Sequence, residues 1–233
     1  MAGIERIDIA SANLGYTGEA GRFWQAKRHW VYANRLYRSI FEQMGVRLDA
    51  GNQVTRCSRD DFLGGYDHDL GIDAFFHFAN GMTGTLQEKY LEYLHGTTAT
   101  VEYMQDPQNE EHGDWFNIKA QFYFVGYDCL HIQCPTKRDT IEHEIQTGEC
   151  STCGKPFDFQ SWILLNWPAV ILETNKGNID WMAQENQGHA RANFQYADFT
   201  AFPSNCVIAK HEMANRKEWT VRELNRRREE RLG

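Results

Sequence analysis

Residues Asp69 to Lys89 read Asp69-Leu-Gly-Ile-Asp73-Ala-Phe-Phe-His-Phe78-Ala-Asn-Gly-Met-Thr-Gly84-Thr-Leu-Gln-Glu-Lys89, and their reading decides the fold. Ile72 to Phe78 is rich in Phe with limited polar content, which predicts a strand. Ala79 to Gly84 contains Asn80-Gly81, a pair that accepts positive φ without steric cost and so predicts a hairpin turn. Thr85 to Tyr93 then predicts the return strand. Strand alternation puts Gln87 and Lys89 on one face and turns Glu88 to the other. Asp73, near the start of the first strand, can face the Gln-x-Lys pair. A carboxylate and an amide carbonyl are both hard oxygen donors, suited to Mg2+ or Mn2+. A lysine beside them can hold an attacking water or neutralise charge on a phosphoryl transition state. Together these residues supply what phosphodiester hydrolysis needs.

Upstream of the hairpin, Trp30, Ala33, Tyr37, Ile40, Phe41 and Met44 recur every three or four positions. That period predicts a helix over 26–44 with those residues on its packed face, and Gly45 follows as a C-cap. Residues 1–22 read as loop, and 50–66 as turn-rich. Downstream, Thr97 to Met104 predicts a third strand and Phe122 to Tyr127 a buried one, with an acidic loop from Asp106 to about Gly113 between them. Trp115 to Gln121 fits helix or strand. The tail from about His211 is charged and predicts a helix. The natural assembly is α/β: a mixed central sheet flanked by helices. Three segments follow, namely 1–128 with the hairpin, a cysteine-rich insertion at 129–160, and 161–233 with the rest of the fold and the charged C-terminal helix.

The chain has 233 residues, 42% of them hydrophobic, which is enough for a well-buried domain and excludes a disordered polymer. No apolar run approaches the roughly 18–20 residues needed to cross a membrane, and the first residues lack a secretory pattern, so a cytoplasmic location is expected. The formal net charge of −8 weighs against a broadly basic nucleic-acid binder. It leaves room for a local basic stretch. Arg28, Arg35 and Arg38 on the predicted helix form one, with Trp24 and Trp30 able to stack on bases; core packing is the competing fate of those tryptophans.

The Gly-Ile-Asp73 followed by Gln87-Glu-Lys89 resembles the PD-(D/E)xK nuclease superfamily, in particular the Mrr-like restriction endonuclease variant with a QxK motif. The resemblance covers about 26–127. It implies a restriction-endonuclease-like core and a metal-dependent endonuclease, with nucleic acid as partner, DNA ahead of RNA. It makes Asp73 and Gln87 the Mg2+ or Mn2+ ligands and Lys89 the catalytic lysine. In this superfamily the preceding helix often adds an acidic residue, for which Glu42 is the only candidate. Such nucleases often work as homodimers. A neutral Gln in place of an acidic ligand implies weaker Mg2+ binding or a preference for Mn2+.

Cys150-Ser-Thr-Cys153-Gly is a zinc-knuckle-like turn, and Cys129, His131 and Cys134 lie upstream. The spacing predicts structural Zn2+ held by Cys134, Cys150, Cys153 and either Cys129 or His131, with Cys129 preferred; buried thiols without metal are the alternative. Cys57 and Cys206 are expected as buried thiols. His77 shares the strand face of Asp73, with packing its expected role. Two rival functions stand beside the nuclease. One is a non-catalytic, zinc-braced nucleic-acid or protein-binding module on the same fold. The other is a hydrolase of another class using Glu110, Glu111 and Asp114.

Overall fold

The computed structural model of the chain describes residues 19–51, 53–57, 70–91, 96–106, 111–128, 147–150, 154, 158–185 and 193–212. Helix α1 (Glu19–Gln43) leads into three antiparallel strands, β1 (Val54–Arg56), β2 (Ala74–His77) and β3 (Thr83–Leu91). The helix begins before the predicted Ala26. Its end is a Schellman closure: the Val46 amide donates to the Phe41 carbonyl at 2.8 Å and the Gly45 amide to that of Glu42 at 3.0 Å, with Gly45 at φ 74°. Met44, predicted for the packed face, therefore lies beyond the last turn and is exposed. Tyr32, Ala33, Tyr37, Ile40 and Phe41 are the residues that α1 buries. The β2–β3 turn is built as its Asn-Gly pair requires. Phe78 donates to the Met82 carbonyl, Gly81 takes φ 83°, and the Asn80 side chain accepts from the Met82 amide.

The chain then crosses over through β4 (Thr98–Asp106), β5 (Glu111–His112) and the single turn α2 (Asp114–Asn117). It returns as β6 (Phe122–Asp128), parallel to β3 from Leu86↔Phe122 to Leu91↔Tyr127. A parallel joining needs such a connection. Strand β7 (Phe159–Asn166) runs back along β6 and ends where Asn166 caps α3 (Trp167–Asn175), with Pro168 in its first turn. Strands β8 (Met182–Glu185), β9 (Asn193–Asp198) and β10 (Val207–His211) complete the described elements.

Among the described residues these strands form two sheets, a six-stranded mixed one in the order β1-β2-β3-β6-β7-β10 and a four-stranded one in the order β5-β4-β9-β8. The protein is thus mixed α/β with a mixed central sheet. Helix α1 packs on one face of the central sheet; the second sheet and α3, through Trp167 and Val170, pack on the other. Because β6 pairs with β3, the strand predicted over 97–104 joins the second sheet instead of extending the central one.

Alternation along β6 divides the core. Phe124 packs with Tyr37, Phe41, Phe76, Leu86 and Leu164 beneath α1. Tyr123, Val125 and Tyr127 point the other way, among Ala99, Val101, Ile163, Ala197 and Phe199. Burial of each such large side chain is worth about 1.5–3 kcal/mol. The phenols of Tyr123 and Tyr127 donate to the carbonyls of Thr100 (2.7 Å) and Thr98 (2.6 Å), tying the central sheet to β4. Among the described residues, no helix is long and apolar enough to cross a membrane. The predicted C-terminal helix lies outside the described residues beyond His211 and Glu212.

Candidate active site

Asp73 stands at the mouth of β2. Its amide donates to the Leu86 carbonyl at 2.8 Å, and its Oδ2 accepts the Glu88 amide at 2.6 Å. The carboxylate takes over where the β2–β3 ladder stops, and this fixes its orientation beside β3. Extending the register Ala74↔Leu86 by one step sets Asp73 opposite Gln87. The turn before it is held tightly. Gly71 has φ 54°, and a Cβ there would lie 3.0 Å from the Ile118 Cα, so this turn packs against the segment that follows α2.

On β3, Leu86, Glu88 and Tyr90 face α1, while Gln87 and Lys89 face the second sheet. This is the division the sequence predicts. Gln87 is 8% exposed, and among the described residues its buried Oε1 has no hydrogen-bond partner. Such an oxygen costs roughly 1–3 kcal/mol if nothing meets it. Two strand positions on, the Lys89 Nζ lies 5.7 Å from the centre of the Phe194 ring on β9.

Two carboxylates that the hairpin motif does not include come in from the crossover. Glu102, the cross-strand partner of Phe194, and Asp114, at the start of α2, approach each other because residue 113 is glycine. A Cβ at Gly113 would sit 2.6 Å from the Glu102 carbonyl oxygen and 2.9 Å from its Cγ. The Glu102 carboxyl is pushed up by burial first and by the charge of Asp114 second, with Lys89 opposing. The Tyr123 phenol is pushed well up by burial, then by Asp114 and Asp73. Tyr123 is the β6 register partner of Gln87. Asp114 and Lys89 thus act on the Glu102 carboxyl, and Asp114 and Asp73 on the Tyr123 phenol.

Among the described residues, no three His, Cys, Asp or Glu side chains come together to hold a metal ion. The residues that could hold one are Asp73 and Gln87, whose carboxylate and amide oxygens are hard donors at facing register positions.

Glu42 is not brought to this place. It is exposed at the end of α1, on the far side of the sheet. His77 pairs with the Thr55 hydroxyl at 2.8 Å. Cys57 is half-buried and donates its amide to the Asp73 carbonyl at 2.7 Å, while Cys206 is buried as expected. Of the basic helix residues, Arg38 is exposed and binds the Gln53 side-chain oxygen through Nε and Nη2, at 3.0 and 2.7 Å. Arg35 is exposed and packs over Gly148. The Arg28 side chain lies outside the described residues, as does that of Trp24. Trp30 carries the Arg56 guanidinium over its ring at 5.1 Å. Of the predicted zinc ligands, Cys129, His131, Cys134 and Cys153 lie outside the described residues. Cys150 is buried beneath α1, and Gly154, at φ 68°, donates its amide to the Cys150 carbonyl at 2.7 Å.

The α1 face of β3 carries its own polar group. Glu88 accepts from the phenols of Tyr37 (2.6 Å) and Tyr90 (2.7 Å) and pairs with Arg56, which also donates to Asn34 at 2.7 Å. Both phenols are pushed upward, chiefly by burial. This group is closed on itself, every carboxylate oxygen of Glu88 being taken. No protein-family model matches the chain, and neither does any curated protein or solved structure.

Proposed function

We propose that the protein hydrolyses phosphodiester bonds of nucleic acid with a divalent cation held by Asp73 and Gln87 and with Lys89 as the catalytic cation. The observation that carries this reading is the buried, unpartnered Oε1 of Gln87 on the strand face shared with Lys89 and opposite Asp73. A bound Mg2+ or Mn2+ would supply the Lewis acidity that such hydrolysis needs. The residues do the rest. Asp73 is oriented by the Glu88 amide and offers a hard anionic donor. Gln87 offers a neutral one. Lys89, steadied over Phe194, donates hydrogen bonds to the phosphoryl group and offsets its developing charge.

The helix–hairpin order and the QxK placement support a restriction-endonuclease-like core. The position of α1, on the face opposite Gln87 and Lys89, does not support a helix-borne ligand, and Glu42 is left out of the mechanism. Structural Zn2+ on the 129–160 insertion stays part of the proposal. It is supported by the left-handed Gly154, whose amide donates to the Cys150 carbonyl, and metal analysis of the purified protein tests it.

The decisive experiment incubates the protein with plasmid and single-stranded DNA in Mg2+, Mn2+ or EDTA. Metal-dependent cleavage is expected, with Lys89→Ala reducing it by roughly 10²–10³-fold, the loss typical of one charge-stabilising donor. Absence of metal-dependent cleavage, or a Lys89→Ala variant as fast as wild type, would overturn the reading.

A further inference from the structure

Next to the Glu102–Asp114 corner the surface carries aromatic rings that pack on one another instead of entering the core. Tyr103 follows Glu102 on β4 and is 36% exposed; Phe116 lies in α2 and is 40% exposed. Their ring centres are 5.0 Å apart. His112, exposed on β5, adds a third ring 4.4 Å from that of Phe116. The backbone holds the trio in place. The Gly113 amide donates to the Tyr103 carbonyl at 2.9 Å, and the Phe116 amide to that of Gly113 at 3.2 Å. At the margin, the exposed Lys119 lays its Nζ 3.3 Å from the Phe116 carbonyl.

Large rings left facing water beside charged side chains form a surface for something flat. Glu102 and Asp114 at the inner edge repel phosphate, so a sugar–phosphate backbone would not lie across the rings themselves. A base has no such charge, and every base presents a π-face. Lys119 is placed to meet the phosphate next to a stacked base. Duplex nucleic acid hides its base faces, whereas an unpaired strand offers them.

We infer that Tyr103, Phe116 and His112 form a stacking platform for unpaired bases, and that the substrate is single-stranded nucleic acid, or a single-stranded stretch of it, delivered from this platform to the Asp73–Gln87–Lys89 site. The inference rests on the hydrolase reading for the fate of the strand, but the platform itself is tested by binding.

The test titrates fluorescein-labelled oligo(dT), oligo(U) and a DNA duplex against the full chain carrying Lys89→Ala, in EDTA so that metal-dependent turnover is suppressed. The single strands should bind more tightly than the duplex. Tyr103→Ala with Phe116→Ala should weaken single-strand binding about tenfold or more, the scale of one lost base–aromatic stack, with little change for the duplex. Tyr103→Phe with Phe116→Trp, which keeps both rings, should keep the affinity, and its loss would overturn stacking as the source of binding. Equal binding of strand and duplex, or an alanine pair that binds oligo(dT) as before, would overturn the platform. Failure of the two readings is separable. Ring-dependent binding of oligo(dT) with no cleavage by wild type sinks the hydrolase and leaves the platform. Cleavage by wild type that the alanine pair does not slow sinks the platform and leaves the hydrolase.

Discussion

Gln87 sets function against stability at a single side chain. Its amide oxygen is buried with no hydrogen-bond partner among the described residues, so the fold bears a cost that a bound cation would remove. Replacing it with an apolar residue of similar length should relieve that cost. Gln87→Met is expected to raise the melting temperature of the metal-free protein by about 2–4 °C, the shift that about 1 kcal/mol produces in a chain of this size, while abolishing metal-dependent cleavage. Calorimetry in EDTA together with the cleavage assay checks both halves. A destabilised Gln87→Met protein would mean that the amide already has its partner, and the metal assignment would lose its support. Gln87→Glu works in the opposite direction. It adds a formal charge to the ligand set, so activity should shift from Mn2+ towards Mg2+, and an unchanged metal preference would argue against Gln87 as a ligand.

At the scale of elements, the question is what holds α1 to the sheet. Most of the answer is apolar, but Glu88 is a buried charged hub within that layer, bonded to Tyr37 on α1, Tyr90 on its own strand and Arg56 on β1. The side chains of the ion pair are 2% and 13% exposed. Glu88→Gln leaves the Arg56 guanidinium enclosed without its counter-charge and should cost about 3–5 kcal/mol in urea unfolding. Replacing Glu88 and Arg56 together by Met should cost clearly less, because no lone charge remains. A Glu88→Gln protein within about 0.5 kcal/mol of wild type would show that the hub carries no weight, since that is the range of an ordinary surface change. The same elements show what was legible in the sequence. The hairpin, the Gln87/Lys89 face and the opposite turn of Glu88 follow from a period of two and an Asn-Gly turn, both local. The α1 period is local too. The partners of Glu88 are not, since Tyr37 lies 51 residues away. Nor is the second sheet, whose β4–β9 pairing joins distant segments. Glu102 and Asp114 reach the site only because the crossover folds back over β6, and no spacing in the chain signals that. The one local hint was Gly113, whose missing side chain admits Glu102.

For the whole molecule, charge decides how a nucleic acid could be held at all. With 24 Lys and Arg against 32 Asp and Glu, the chain carries a formal net charge of −8 and repels a polyanion at long range. Affinity must then come from short-range contacts, and two surfaces compete to provide them. The first is the aromatic platform with Lys119. The second is the arginine stretch on α1, across the sheet from Lys89, where Arg38 is already engaged by Gln53. Salt separates the two. Each phosphate neutralised on a single strand contributes about −0.7 to the slope of log K against log salt. Binding through stacked bases and one or two lysines should therefore give a slope of about −0.7 to −1.4 for oligo(dT). Binding through Arg28, Arg35 and Arg38 on the helix face would engage about three phosphates and give a steeper slope, about −2. Titrations of the Lys89→Ala protein across a range of NaCl measure it. A shallow slope that Lys119→Ala makes shallower still places the strand on the platform side of the sheet. A steep slope lost on Arg35→Ala with Arg38→Ala would move the strand to α1, away from Asp73, Gln87 and Lys89, and the proposed site could not then be where the strand is cut.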